Sequence, residues 1–176
     1  MEIILKNYII FSVVYDGHNK LCKIIKNPFI KRRRCIYDTE NKVRYITEIQ
    51  KNRNSISNEY NYNYQIIKKT PQATMVVGTA ELVHENNVSN DFMFRPPFVN
   101  KMEINLFSEK KVIYIFLNRN GSCVLKNEKG IIIGNINKQL LKGYRVEYLE
   151  RINVYELCAI FILSRYLDEE NDFIIV

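Results

Sequence analysis

The stretch from Asn153 to Asp168 reads NVYELCAIFILSRYLD and carries the one long helix signal in the chain. Asn153 can cap the start of a helix, and Glu156 stands three residues later, where a capping-box carboxylate can reach back to the Asn153 amide. From Leu157 to Leu163 every residue is apolar, so a period of about 3.6 residues leaves no polar face there. The pattern predicts a helix wrapped by the rest of the protein, with a core helix between two layers as the alternative.

The predicted helix is too short to cross a lipid bilayer. From Val154 to Leu167 it would be about 21 Å long, at about 1.5 Å per residue. A membrane span needs about 20 consecutive apolar residues. We therefore expect this helix to lie in a protein core.

Upstream of the helix, the sequence predicts short strands separated by turn residues. The strand-like runs are Tyr8–Tyr15, Leu21–Ile25, Cys35–Asp38, Val43–Ile49, Gln65–Lys68, Thr74–His84, Met102–Leu106, Val112–Leu117, Cys123–Lys126, Ile131–Ile136 and Tyr144–Leu149. Asp16-Gly17 and Asn120-Gly121 are dipeptides that favour tight hairpin turns. Phe92–Phe98, with two prolines, predicts an irregular crossing. About ten to twelve short strands followed by one helix are typical of an antiparallel barrel or sandwich.

Composition indicates one domain, residues 1–176, with 47% hydrophobic residues and a substantial core. The four cysteines are far apart in apolar surroundings, which favours buried reduced thiols over a disulfide framework or a metal site. The N-terminal segment has an acidic residue at position 2 and a lysine inside its apolar run, unlike a signal peptide. We therefore expect a cytoplasmic protein.

The densest basic cluster is a candidate site for an anion or a lipid headgroup. Its members are Lys31, Arg32, Arg33 and Arg34, with Lys23 and Lys26 upstream. Four consecutive cations on one strand would place two inside a filled barrel, so we expect the run in a turn or at a strand end, with the strand starting near Cys35. Four cations near an anionic leaflet contribute about 4 kcal/mol, which is only millimolar attraction. A pocket or second contact would be needed, and a solvated loop is the alternative.

Catalytic, metal and cofactor sites are not predicted. The acidic residues that end the helix lack the glycine-punctuated spacing of a calcium loop, oppose the helix dipole and are expected to face water: Asp168, Glu169, Glu170 and Asp172. The two histidines, His18 and His84, are too few for a histidine metal cage, and no nucleophile or phosphate-loop motif is present. We therefore expect a protein without enzymatic activity.

Single-stranded nucleic acid is an alternative ligand. Lys51–Asn63 predicts a polar loop that becomes a strand, and Tyr60, Tyr62 and Tyr64 beside Arg53 could stack on bases. Tyrosines at a period of two more often line one face of a sheet. We expect nucleic-acid binding less than lipid binding, although the net charge of +7 favours anionic partners of either kind.

The chain resembles the tubby C-terminal-like superfamily, which includes tubby domains, LURP-one-related proteins and phospholipid scramblases. The resemblance rests on VVYDGHNKLCKIIKNPFIKRRRCIYDTENKVRYI, IYIFLNRNGSCVLKNEKGIIIGNI and ELCAIFILSRYLDEE. It implies a mainly β fold, a closed antiparallel barrel of about twelve strands around a hydrophobic C-terminal helix. No match to the scramblase calcium-binding stretch is found here, and no residue of the tubby phosphoinositide pocket carries over to this chain.

The resemblance and the basic cluster together lead to one functional expectation. It is a non-catalytic binding module for anionic lipid headgroups, phosphoinositide-like, or for a protein partner at a membrane surface. A structural or regulatory barrel without a small ligand is the competing expectation. Because a closed barrel has no free edge strand, we also expect a monomer, cytoplasmic or peripherally attached to a membrane.

Overall fold

The computed structural model describes residues 1–8, 11–30, 32–53, 60–83, 99–139 and 143–172, without the side chains of 50–53, 60–62 and 172. Within these residues, twelve strands precede one helix. They are β1 (Glu2–Asn7), β2 (Phe11–Asp16), β3 (Asn19–Lys26), β4 (Arg34–Tyr37), β5 (Val43–Arg53), β6 (Tyr60–Lys69), β7 (Thr74–Val83), β8 (Lys101–Leu106), β9 (Lys111–Leu117), β10 (Cys123–Asn127), β11 (Ile132–Gln139), β12 (Gly143–Tyr148) and α1 (Val154–Asp172).

The strands form a closed antiparallel barrel. Each strand pairs with its neighbours in the chain, and β1 pairs with β12 from Glu2↔Glu147 to Lys6↔Gly143, which closes the ring. Gly17 and Gly121 have φ of 56° and 76°, as the predicted tight turns require. The predicted fold class, a closed barrel of about twelve strands with a C-terminal helix, is therefore confirmed.

Helix α1 fills the barrel, as its uniformly apolar sequence predicts. All seven residues from Leu157 to Leu163 are buried, and the inward side chains of the strands pack around them. Asn153 caps the helix, since its Oδ1 accepts a hydrogen bond of 2.9 Å from the Tyr155 amide. No helix in the described part of the chain is long and apolar enough to cross a bilayer.

Glu156 does not form the predicted capping box. Its carboxylate is buried and accepts hydrogen bonds from the Tyr45 hydroxyl at 3.3 Å and the Ser108 hydroxyl at 3.1 Å. Tyr45 lies on β5 and Ser108 lies in the β8–β9 connection, so Glu156 joins the start of α1 to the surrounding barrel. Burial, followed by the charge of Glu156, raises the pKa of the Tyr45 hydroxyl and keeps it a neutral donor.

Two predicted boundaries are wrong. The run Tyr8–Tyr15 is not one strand, because the Tyr8 amide donates to the Phe11 carbonyl at 2.8 Å and the chain reverses there between β1 and β2. The predicted loop Lys51–Asn63 is shorter, since β5 and β6 stay paired as far as Arg53↔Tyr60. Phe92–Phe98 and His84 lie outside the described residues.

Strand alternation fixes which connections surround each end of α1. We call the barrel end where α1 finishes the exit end; it includes the β1–β2, β3–β4 and β9–β10 connections. Arg34 and Tyr64 reach residues Glu169 and Glu170 there, and the Asn171 amide exchanges hydrogen bonds with the Val99 backbone. The basic cluster and the acidic helix end therefore meet at one end of the barrel.

Replacing Gly134 with alanine is expected to destabilise the protein by about 1–3 kcal/mol. A Cβ at Gly134 would lie 2.5 Å from the Glu147 carbonyl oxygen on the paired strand β12, so β11 and β12 would have to separate. Chemical denaturation of Gly134→Ala measures the loss. Asn137→Ala, at an exposed position of the same strand, is the control. Equal stability of the two variants would show that the strands move apart without cost.

Candidate anion-binding site

The arginines of the predicted basic cluster pair with carboxylates of the same chain. The pairs are Arg32 with Glu170, Arg33 with Glu48 at 3.3 Å, and Arg34 with Glu169 at 2.6 Å. Arg32 lies in the β3–β4 connection with φ of 60°, and Arg34 begins β4, as predicted for a run at a strand end. These arginines tie the β3–β4 connection to α1 and to β5, so they do not form a free cationic patch.

Among the described carboxylates at the end of α1, Glu170 does not face water as predicted, and Asp168 and Glu169 face it only in part. Glu170 is mostly buried, where it pairs with Arg32 and accepts a hydrogen bond of 3.0 Å from the Tyr64 hydroxyl. Glu169 and Asp168 remain about one-third exposed, each beside an arginine. The arginines offset the unfavourable position of these carboxylates at the negative end of the helix dipole.

A pocket of about 300 Å³ opens beside this cluster at the exit end. Tyr8, Phe11, Ile24, Tyr144 and Phe161 supply its apolar and aromatic lining. The Tyr8 and Phe11 rings stack with centroids 4.7 Å apart, and together they form one wall. Its charged lining consists of Lys26, Arg34, Arg165, Asp168 and Glu169.

Arg165 is fully occupied by contacts within the protein. Its guanidinium is buried and makes five polar contacts: with the Tyr144 hydroxyl at 2.9 Å, Asp168 at 2.8 Å, the Gly121 carbonyl at 3.0 Å, the Ser164 hydroxyl at 3.4 Å and the Cys123 sulfur at 3.6 Å. A guanidinium has five N–H donors. With every donor used, Arg165 holds the site together and has none left for a ligand.

Lys26 carries the one charge of the pocket lining that the other described residues leave uncompensated. Arg165 pairs with Asp168 and Arg34 pairs with Glu169, so these four charges cancel. Lys26 is exposed, lies opposite Arg34 in the β3–β4 ladder, and has no described carboxylate within ion-pair distance. The described lining of the pocket therefore has a net charge of +1.

The structure brings only part of the predicted site together. Lys26 and Arg34 share the pocket, whereas Lys23 lies on the outer face of β3, with its Nζ 5.8 Å from the Tyr37 ring centroid. Lys31 lies outside the described residues. The sequence interpretation missed Arg165, although a single arginine within an apolar helix was the signal that could have found it.

The described residues give little support to a nucleic-acid site or a metal site. Tyr64 is fully buried and stacks on Tyr166, so it cannot stack on a nucleic-acid base; the side chains of Arg53, Tyr60 and Tyr62 lie outside the description. The described residues contain no group of three side chains placed to hold a metal ion. The Asp172 side chain is not described. Nucleic-acid binding therefore loses one of its three tyrosines.

The four cysteines are free thiols, three of them buried and Cys35 half-buried. The sulfurs of Cys22 and Cys158 lie 3.5 Å apart between β3 and α1. Burial raises the pKa of Cys123 to about 11 despite the nearby Arg165. Cys123 is thus a protonated core residue at neutral pH, without the thiolate that a nucleophile needs.

Comparison with known proteins finds a solved structure with a similar fold. No family model matches this sequence, and no curated protein matches it. The X-ray structure of the Arabidopsis thaliana protein AT5G01750 is similar, with a TM-score of 0.60 over 97% of this chain and 90% of that chain. Because sequence identity is 13%, this similarity shows the shared barrel fold alone.

Proposed function

We propose that this protein is a non-catalytic module that binds an anionic lipid headgroup in the exit-end pocket and so docks on a membrane surface. The observation that carries the proposal is the ammonium of Lys26, which lines a pocket of about 300 Å³ without a described carboxylate partner. The resemblance to tubby-like domains supports it at the level of the family. A protein partner at a membrane surface is the competing candidate.

The charge of the pocket favours a headgroup with a single phosphodiester. Such a group carries one negative charge, which matches the charge of Lys26, while Arg34 and Arg165 are neutralised by their own carboxylates. A headgroup with several phosphates would need further free cations. The volume of the pocket is at the lower end of the range for small-ligand sites, which is about 300–1,000 Å³.

Reversing the charge of Lys26 is expected to weaken binding to anionic vesicles by about thirtyfold, since two units of charge change at about 1 kcal/mol each. Flotation with vesicles of phosphatidylcholine, with and without phosphatidylserine, measures this for Lys26→Glu. Lys20→Glu is a matched control, because Lys20 is also exposed on β3 but lies near its opposite end.

The two variants separate a defined pocket from general electrostatic attraction. Both have the same net charge, so equal losses would mean that attraction to the whole surface explains binding, and the pocket would be rejected. If the unmodified protein fails to float with anionic vesicles at low salt, the lipid function itself is rejected.

A further inference from the structure

We propose that the Pro28–Ile30 tip of the β3–β4 connection is a wedge that inserts between the lipids of an anionic membrane. This inference rests on the proposed membrane function and adds the element that enters the bilayer. The side chain contacts with the acyl region would come from Phe29 and Ile30, while Lys26 remains at the level of the headgroups.

The tip presents apolar surface to solvent. Phe29 is 94% exposed, the highest value among the large hydrophobic side chains of the described residues, and Ile30 beside it is 43% exposed. Neither side chain contributes to the core cluster around α1. Phe29 and Ile30 are adjacent, so they form one small apolar patch that a lipid or another apolar partner can cover.

The backbone of the tip has no N–H group that needs water as a partner. Pro28 has no N–H, and the Asn27 Oδ1 accepts hydrogen bonds from the amides of Phe29 at 2.9 Å and Ile30 at 3.0 Å. The Ile30 carbonyl accepts one from Arg33 at 3.2 Å. A lipid environment penalises unpaired backbone groups, so a segment with paired amides enters it at lower cost.

The same hydrogen bonds make the tip rigid. The Asn27 amide donates to the Arg33 carbonyl at 2.9 Å, which closes the base of the connection, and Arg33 and Arg34 are in turn fixed to Glu48 and Glu169. The internal ion pairs of Arg33 and Arg34 therefore have a structural role in this proposal. They hold the wedge in position, so that little conformational entropy is lost when it inserts.

Charges around the tip favour an anionic bilayer over a protein partner. Lys26 adjoins the tip, and Lys6 is exposed at the exit end of β1, two strands away from β3 in the barrel, without a described carboxylate partner. Across the pocket, exposed Tyr8 can lie at the headgroup level, where tyrosine is enriched. An apolar tip with exposed cations at the same barrel end combines the two contacts that peripheral attachment requires.

Fluorescence of a single tryptophan tests the wedge directly. The chain has no tryptophan, so Phe29→Trp introduces the one reporter at the tip. With phosphatidylcholine–phosphatidylserine vesicles we expect a blue shift of its emission and quenching by brominated acyl chains. Phe107→Trp is the control, because Phe107 is also exposed but lies in the β8–β9 connection at the opposite end.

Removing the ring tests its contribution to affinity. Phe29→Ala is expected to reduce vesicle partitioning by at least about tenfold, whereas Phe107→Ala leaves it unchanged. Thermal unfolding of Phe29→Ala should match the unmodified protein, since the ring contacts no core residue.

The outcomes distinguish the wedge from the headgroup pocket. Vesicle binding that leaves the Phe29→Trp emission unshifted and unquenched overturns the wedge, with the pocket intact. Insertion into anionic vesicles that is insensitive to Lys26→Glu supports the wedge and overturns the pocket, whereas insertion that is equal in neutral and anionic vesicles overturns the preference of the wedge for an anionic membrane. If no vesicle binds, both are overturned.

Discussion

Ending the chain at Ile152, ahead of α1, is expected to give a product that aggregates and shows no cooperative unfolding. The strands would keep inward side chains such as Ile104, Ile115 and Val146, but these would surround an empty interior. Each large side chain that α1 buries contributes about 1.5–3 kcal/mol, while a whole domain is stable by only about 5–15 kcal/mol. Size-exclusion chromatography and calorimetry measure the two properties.

Ile160→Asp is expected to have nearly the same effect within the complete chain. Ile160 is fully buried among apolar side chains, so a carboxylate there would lose its hydration. Leu149→Asp is the control, because Leu149 is 73% exposed just after β12. A soluble, monomeric truncation product with a cooperative thermal transition would refute the role of α1 as the core of the barrel.

The fold could be predicted because its main signals are local. The run Leu157–Leu163 leaves a helix without a polar face, so such a helix must be surrounded by other elements of the protein. The alternating strands predict those surroundings, and the burial of the whole run confirms the prediction. The turn between β1 and β2 was missed because Asn7 and Tyr8 give a weak turn signal inside an apolar run. Strands β5 and β6 continue into the predicted loop because they pair with each other. Polar residues such as Asn61 do not predict this pairing from the sequence.

The site could be predicted only as a set of residue types. The sequence places Arg34 at a strand end and Glu169 at a helix end, but their pairing joins residues 135 positions apart. These two residues come together only because α1 finishes at the barrel end that contains the β3–β4 connection. Without the direction of α1 inside the barrel, the arginines were interpreted as free cations and the carboxylates as solvated.

Arg165→Met is expected to lower the free energy of unfolding by about 3 kcal/mol. The substitution keeps an apolar chain of similar length but removes all five donors, so it leaves Asp168, the Tyr144 hydroxyl and the Gly121 carbonyl without this partner. It also removes a guanidinium whose carbon lies 4.5 Å from the Tyr144 ring centroid. We place the loss at the lower end of the range for broken buried pairs because Asp168 is about one-third exposed. Chemical denaturation measures it.

Arg145→Met provides the matched comparison. Arg145 also contacts two carboxylates, Glu2 at 2.6 Å and Glu147 at 3.0 Å, but its side chain is 43% exposed, so solvent screens these pairs and its loss should cost much less than the loss of Arg165. Adding Asp168→Asn to Arg165→Met should restore part of the stability, since the orphaned charge is then removed. If Arg165→Met costs no more than Arg145→Met, the buried guanidinium does not hold the exit end together.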